Sequence, residues 1–295
     1  MVIDFHVHLW LRPMLPDGLL RAYLEPLLAL DGLMDLSDDR LNAWPLSQVT
    51  DVDLLEEMAT AKIDRSIVLP LDFGMAENAK VGPEEYNDWV FERCALAGDR
   101  LVPFVGVDPQ RGETALRLVN KYVKAFDAKG VKIYPGTGFY ADEERLLPFW
   151  DLVDDLGLVV TTHAGAAWGP LGEDFNRPSR FAKVLEKHEE MRLVIAHMGG
   201  KFRSEMYDLL ARFPNAFTDI SALQGWLPSN PEVAEGRLVE AVKVIEDRML
   251  FGSDWPLFDM AYSHANWVHF IQERPWGTAG QKEKLLHGNA ERLLR

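Results

Sequence analysis

Residues 2–8 read VIDFHVH, a short apolar run that closes on two histidines one residue apart. A near-continuous apolar start is what a parallel strand carries when both of its faces are covered. Seven runs of the same kind follow: RSIVLPLD (65–72), LVPFVGVD (101–108), GVKIYPG (130–136), LVVTTHAG (158–165), RLVIAHMGG (192–200), AFTDIS (216–221) and MLFGSDWP (249–256). The segments between them have helical period. Thr50 with Asp53 predicts an N-cap and its capping-box acid, and Pro83 opens a helix that Gly98 ends. Leu146, Phe149, Trp150 and Val153 recur at three- and four-residue spacing before Gly157. Further helices are expected over 178–190, 201–213 and 231–246, with two more after 257.

Strand and helix alternating eight times with short loops predict an α/β chain folded as a single (β/α)8 TIM barrel over 1–295, with an extra C-terminal helix. An open doubly wound sheet would ordinarily place a glycine-rich phosphate turn after its first strand, and none is present. One connection is abnormal. Residues 9–48 form a long insertion with four prolines (Pro13, Pro16, Pro26 and Pro45) and apolar pieces, expected to lie as a lid over the barrel mouth.

The 295 residues carry 47% hydrophobic and 26% charged side chains, ordinary proportions that allow a sizeable core. A net charge of −15 opposes binding to nucleic-acid phosphates and to anionic lipid. The lone cysteine, Cys94, leaves no disulfide framework and fits a reducing compartment. With no apolar run long enough to span a membrane and no leader before the first strand, a cytoplasmic protein acting on a small molecule is expected.

Of the eight histidines, His6, His8, His163 and His197 all fall at the C-terminal ends of predicted strands, as does Asp254. In barrels that rim is where active sites are built. Residues i and i+2 of a strand share a face, about 6.5 Å apart. His6 and His8 therefore project together into the barrel, with Asp4 one step deeper on the same face and Phe5 and Val7 toward the helices. Imidazoles and a carboxylate are ligands for a first-row divalent ion, Zn²⁺ being the commonest expectation. Taken singly, each residue has an ordinary structural explanation; five together at the strand ends point to a metal site. His188, on a helix seven residues from Phe181, is read as a half-buried surface residue, and His264, His269 and His287 lie in the C-terminal helical region without partner spacing.

FHVH, THAG, AHMGG and GSDWP, in that order, resemble the amidohydrolase superfamily, as does the ending GNAERLL. The nearest branch looks like the amidohydrolase-related proteins that include aminocarboxymuconate-semialdehyde decarboxylase and γ-resorcylate decarboxylase. The resemblance implies His6, His8, His163 and Asp254 as ligands of one divalent metal, most often Zn²⁺, with Mn²⁺ as the alternative. It places His197 beside the metal, handling a proton or a water, and gives Asp254 a part in proton transfer. In binuclear members a lysine of the fourth strand is carboxylated and bridges two metals. Lys132 lies on that strand, but is read here as a cationic partner for a substrate carboxylate or an internal ion pair.

The implied reaction is hydrolysis of an amide, ester or lactone by an activated water. The alternative is non-oxidative decarboxylation of an aromatic or unsaturated acid, for which the same ligands serve. Trp10, Arg12, Tyr134, Trp168, Arg177, Trp226 and Trp255 lie after strands on the mouth side, candidates for substrate contact or for packing. Relatives of this branch are often dimers, so a homodimer is expected.

Overall fold

A computed structural model describes residues 1–30, 45–259 and 262–295 of the chain, with side chains 25–30 and 45 left aside. Its strands are β1 (Ile3–Val7), β2 (Arg65–Val68), β3 (Leu101–Pro103), β4 (Val105–Gly106), β5 (Gly130–Ile133), β6 (Val159–Thr162), β7 (Arg192–Ile195), β8 (Ala216–Asp219) and β9 (Met249–Leu250). Neighbours pair in parallel, β1 to β3 in one sheet and β4 to β9 in another. The third predicted strand is thus split at Phe104, yet the ring continues across the split. Phe104 N donates to Val68 O at 2.9 Å and Val107 N to Lys132 O at 3.0 Å. The last strand returns to the first through Phe5 N to Phe251 O, Asp254 N to His6 O and His8 N to Trp255 O, each 2.8 Å. The fold is the (β/α)8 barrel.

Its filling is a buried cluster built from Ile3, Phe5, Ile67, Phe104, Val159, Val194, Phe217 and Leu250. These residues come from strands right round the ring and touch one another, so they face inward. At Gly130 the strand gives way to them: a Cβ there would lie 2.4 Å from the Phe104 ring and 2.5 Å from Val159 O. Ala290 and Leu293 of the C-terminal helix (Asn289–Leu293) join the same cluster and close the barrel's lower end.

Phe5 belongs to this filling, which corrects the expected outward placement. The reason is a bulge. Asp4 faces Ser66 and Val7 faces Val68, three steps along β1 against two along β2. One extra residue shifts the alternation. Phe5 and His6 both turn inward, while Asp4 turns out toward the C-terminal helices, where its carboxylate meets His264 Nε2 at 2.6 Å. Asp4 also accepts from the backbone of His6 (3.0 Å) and of Ser253 (3.1 Å), tying the bulge to the loop that carries Asp254.

Helices α1 (Asp17–Leu30), α2 (Asp51–Ala61), α3 (Pro83–Leu96), α4 (Glu113–Phe126), α5 (Leu147–Asp155), α6 (Ala182–Lys187), α7 (Arg203–Arg212), α8 (Pro231–Ile245) and α9 (His264–Glu273) follow the expected segments. Thr50 and Asp53 make the capping box of α2, with Asp53 accepting from Thr50 N at 2.7 Å. Of the insertion, residues 31–44 lie outside the described part. Its two ends are fastened together by Trp10 and Val49, which exchange backbone hydrogen bonds of 3.0 and 2.9 Å. Among the described residues no helix is long and apolar enough to cross a membrane.

Candidate metal centre

The strand ends deliver their side chains to the floor of one cavity of about 640 Å³ at the barrel mouth. His6 and His8 come from β1 and the residue after it, Lys132 from β5, His163 from the end of β6, His197 from beyond β7, and Asp254 from beyond β9. His6, His8 and Asp254 bring one ligand atom each to within 4.8 Å of the others. Asp254 Oδ1 lies 2.9 Å from His8 Nε2 and 3.4 Å from His6 Nε2.

The partners on the far side of each ring decide what these atoms can do. His8 Nδ1 sits 2.6 Å from the carbonyl of Leu69, which can only accept, so the ring proton belongs on Nδ1. His6 Nδ1 sits 2.9 Å from Asp219 Oδ2 and is protonated on the same argument. Both Nε2 lone pairs then converge on an Asp254 oxygen that is itself an acceptor. Three acceptors in one place call for a cation among them, and Lys132 Nζ, 3.3 Å from His6 Nε2, answers only one of the three. Two neutral imidazoles and a carboxylate, each imidazole steered by a carbonyl or carboxylate behind it, are the donor set that a divalent first-row ion takes. These residues fit such an ion.

Burial, reinforced by the Lys132 charge, holds His6 well below the ordinary imidazole range, and burial does the same to His197. His163 is pushed down to about 3, again chiefly by burial. All three rings are neutral at pH 7. Lys132, fully enclosed, is lowered by burial to about 8, still mostly protonated at pH 7, and its Nζ lies 3.3 Å from His6 Nε2.

His163 stands beside the three-acceptor group rather than within it. Its Nε2 donates to Ala166 O at 2.7 Å, leaving Nδ1 to accept from His197 Nε2 at 3.2 Å. Tyr134 lies against it, ring centroids 4.0 Å apart. His197 is held in the left-handed region (φ 58°) by its N–H on Asp219 Oδ1 (3.0 Å) and its Nδ1 on Ser221 Oγ (2.8 Å). A non-glycine residue there is strained, and such strain is typical of functional sites. Asp254 has the same backbone sign (φ 57°), which aspartate tolerates better than most.

Trp10, Tyr134 and Trp168 line the cavity; Trp10 is buried, its indole N–H on Leu46 O at 2.8 Å. Arg12 is not among the lining residues; its guanidinium reaches Asp17 and, at 3.1 Å, Leu15 O. Arg177 pairs with Glu205 at 2.8 Å, and Trp255 is buried away from the cavity. Trp226 lines it. Asp219, Ser221 and the pairing of Asp4 with His264 went unrecognised in the sequence. Asp219 and Ser221 stand at strand-end spacing in TDIS (218–221), the same i, i+2 signal that singled out His6 and His8. Asp4 and His264 form a fully buried pair, a structural role for His264 whose partner the sequence did not indicate. The pair joins positions 260 residues apart, a separation no local pattern reveals.

The sequence profile described as amidohydrolase matches residues 3–295. Among solved structures, an uncharacterized TIM-barrel protein from Bordetella bronchiseptica superposes with TM-score 0.71 at 21% identity, covering 99% of this chain and 98% of that one. A 5-carboxyvanillate decarboxylase from Novosphingobium aromaticivorans, complexed with manganese and 4-hydroxy-3-methoxy-5-nitrobenzoic acid, gives 0.69 at 18% identity over 100% and 96%. A probable 2-pyrone-4,6-dicarboxylic acid hydrolase from Acinetobacter baumannii gives 0.67 at 15% over 99% and 98%. At these identities the likeness speaks for the fold alone. No curated protein matches the sequence.

Proposed function

The chain belongs to the amidohydrolase family, and on that premise we propose that it is a metal-dependent enzyme that removes the carboxylate of a small, flat, largely apolar acid as CO₂. The observation that carries the metal is the convergence of His6 Nε2, His8 Nε2 and Asp254 Oδ1, one ligand atom from each residue within 4.8 Å of the others. What favours a flat, apolar substrate is the cavity above them, whose walls include Trp10, Tyr23, Phe73, Tyr134 and Trp168. A divalent ion bound at that floor, Mn²⁺ or Zn²⁺, supplies Lewis-acid stabilisation of negative charge on substrate oxygen.

The chain's own residues do the rest. Lys132, still largely an ammonium at pH 7, pairs with the acid group and orients it over the floor. The aromatic walls hold the ring and keep water away from the bond that breaks. When the carbon–carbon bond opens, its electron pair stays on the ring carbon, which must receive a proton. Asp254, whose carboxyl is pushed up by burial, can hold and return that proton.

Hydrolysis of a cyclic ester or an amide is the second reading. What favours it is the neighbouring pair His163 and His197, with 3.2 Å between ring nitrogens, a base and its relay next to the metal group. A substrate panel separates the two. With Mn²⁺ or Zn²⁺ present, hydroxylated and methoxylated benzoates should yield CO₂ and the corresponding arene. Acid release from lactones with no CO₂ from any benzoate transfers the assignment to hydrolysis. Inertness toward both panels in metal-loaded protein overturns the enzyme reading.

A further inference from the structure

The cavity has a second polar region at its upper end. Trp226, 41% exposed, marks the rim, and Arg203, Arg237 and Lys201 line the same cavity. In a chain of net charge −15 such a cluster calls for an explanation. Lys201 is neutralised by Glu173. Among the described residues Arg203 has only Glu240, at 4.0 Å, the outer limit of an ion pair. Arg237 makes no ion pair among the described residues; its guanidinium lies over the Trp226 ring, 5.3 Å from the centroid.

The two arginines are near enough to oppose each other. Burial and then the Arg203 charge push Arg237 down from the ordinary guanidinium range, against a smaller opposing pull from Glu240. Tyr207, one turn beyond Arg203 on α7, has its hydroxyl buried and does not line the cavity. Two guanidinium groups that line the cavity with one distant carboxylate, Glu240, between them form an environment that an anion would relieve. The arginine fork matches a carboxylate in two parallel hydrogen bonds, and Trp226 offers a flat face beside it.

We propose that Arg203 and Arg237 are a specificity-determining anion subsite at the cavity rim, and that the substrate carries a second carboxylate at the end remote from the metal floor. This rests on the reading above, in which the first acid group is bound at the floor. One end of the molecule is fixed by Lys132 and the metal group, the other by the guanidinium pair. A ring bridging them lies between the aromatic walls in a single orientation. A monoacid of the same shape engages the floor alone.

The test is binding, not turnover. Calorimetric titration of the Mn²⁺-loaded protein compares benzoate with benzene-1,3-dicarboxylate and benzene-1,4-dicarboxylate at constant ionic strength. At least one diacid should bind about tenfold tighter than benzoate or better, the worth of one charge-assisted hydrogen bond. In Arg237→Gln, and in Arg203→Gln with Arg237→Gln, that preference should fall to within about twofold. Arg237→Lys, which keeps the charge but loses the fork, should fall between. Thermal melts check that the variants fold, as expected for half-exposed helical positions. Equal affinity of mono- and diacids for the wild type, or a preference that survives the double substitution, overturns the subsite. No binding of any of the three acids to the wild type removes the floor reading and the subsite with it.

Discussion

His6 accounts for much of the site by what lies on its two sides. Asp219 and Ser221 take up Nδ1, at 2.9 and 3.2 Å, and so turn Nε2 toward Asp254 and Lys132. Asp219 also accepts from the backbone of His197 and Ser221. One buried carboxylate therefore sets the tautomer of an expected ligand and the strained backbone of its neighbour. Asp254→Asn removes the anionic member of the acceptor group. It should lower metal affinity by more than about a hundredfold, the upper range for losing an outer partner, and abolish turnover. Elemental analysis after dialysis checks the first part; a folded variant with wild-type metal content and activity would refute the assignment. His264→Ala acts at a distance from the chemistry. It leaves Asp4 a buried carboxylate with only two backbone donors, so unfolding in urea should show a loss of about 3 kcal/mol. A loss below about 0.5 kcal/mol, the usual scatter of surface substitutions, would mean the pair is not the clamp described.

At the scale of elements, the eight strand runs, the capping box at Thr50 and the helix opened by Pro83 were legible because each is a local signal. Periodicity and caps extend over a few residues and depend on nothing far away. The histidine pair and Asp254 were legible for a related reason, since parallel strands put their C-terminal ends at one rim. The bulge was not. Nothing in VIDFHVH says that three residues of β1 oppose two of β2, because the extra residue is fixed by pairing with residues 65–68. Asp4 and Phe5 were consequently assigned to the wrong faces. The split of the third strand at Phe104 was also missed, although Pro103 just before it is a local strand breaker, and the Phe104 ring fits only because position 130 is a glycine. Gly130→Ala puts a methyl into the Phe104 ring and a backbone carbonyl, neither able to yield cheaply. It should destabilise the barrel by about 1–3 kcal/mol, measured as a lower denaturation midpoint. Unchanged stability would show that the filling is looser than its contacts imply.

The whole molecule couples stability to the state of the floor. His163 is held near 3 by burial, and His6 and His197 move the same way. As pH falls below the ordinary value of 6.5, the unfolded chain takes up protons that the folded chain refuses. The stability these rings contribute is whole above about 6.5 and drains away toward about 3. For metal-free protein the urea midpoint should therefore drop between pH 7 and pH 5; a flat or rising profile contradicts the burial of neutral rings. Adding Mn²⁺ or Zn²⁺ at pH 7 should raise the melting temperature, by about 2.7 kcal/mol of linkage at a hundred times Kd, and chelator should reverse it. A melting temperature indifferent to both ions would count against the site.

The return of the last strand to the first also has a meaning in time. Phe5 waits for Phe251, and His6 and His8 wait for Asp254, until about 246 further residues have been synthesised. Translation supplies roughly 5–20 residues each second, so β1 stays without that neighbour for many seconds. The acceptor group does not exist on the nascent chain. An ion taken up at the floor would be chosen by the finished barrel from what surrounds it then.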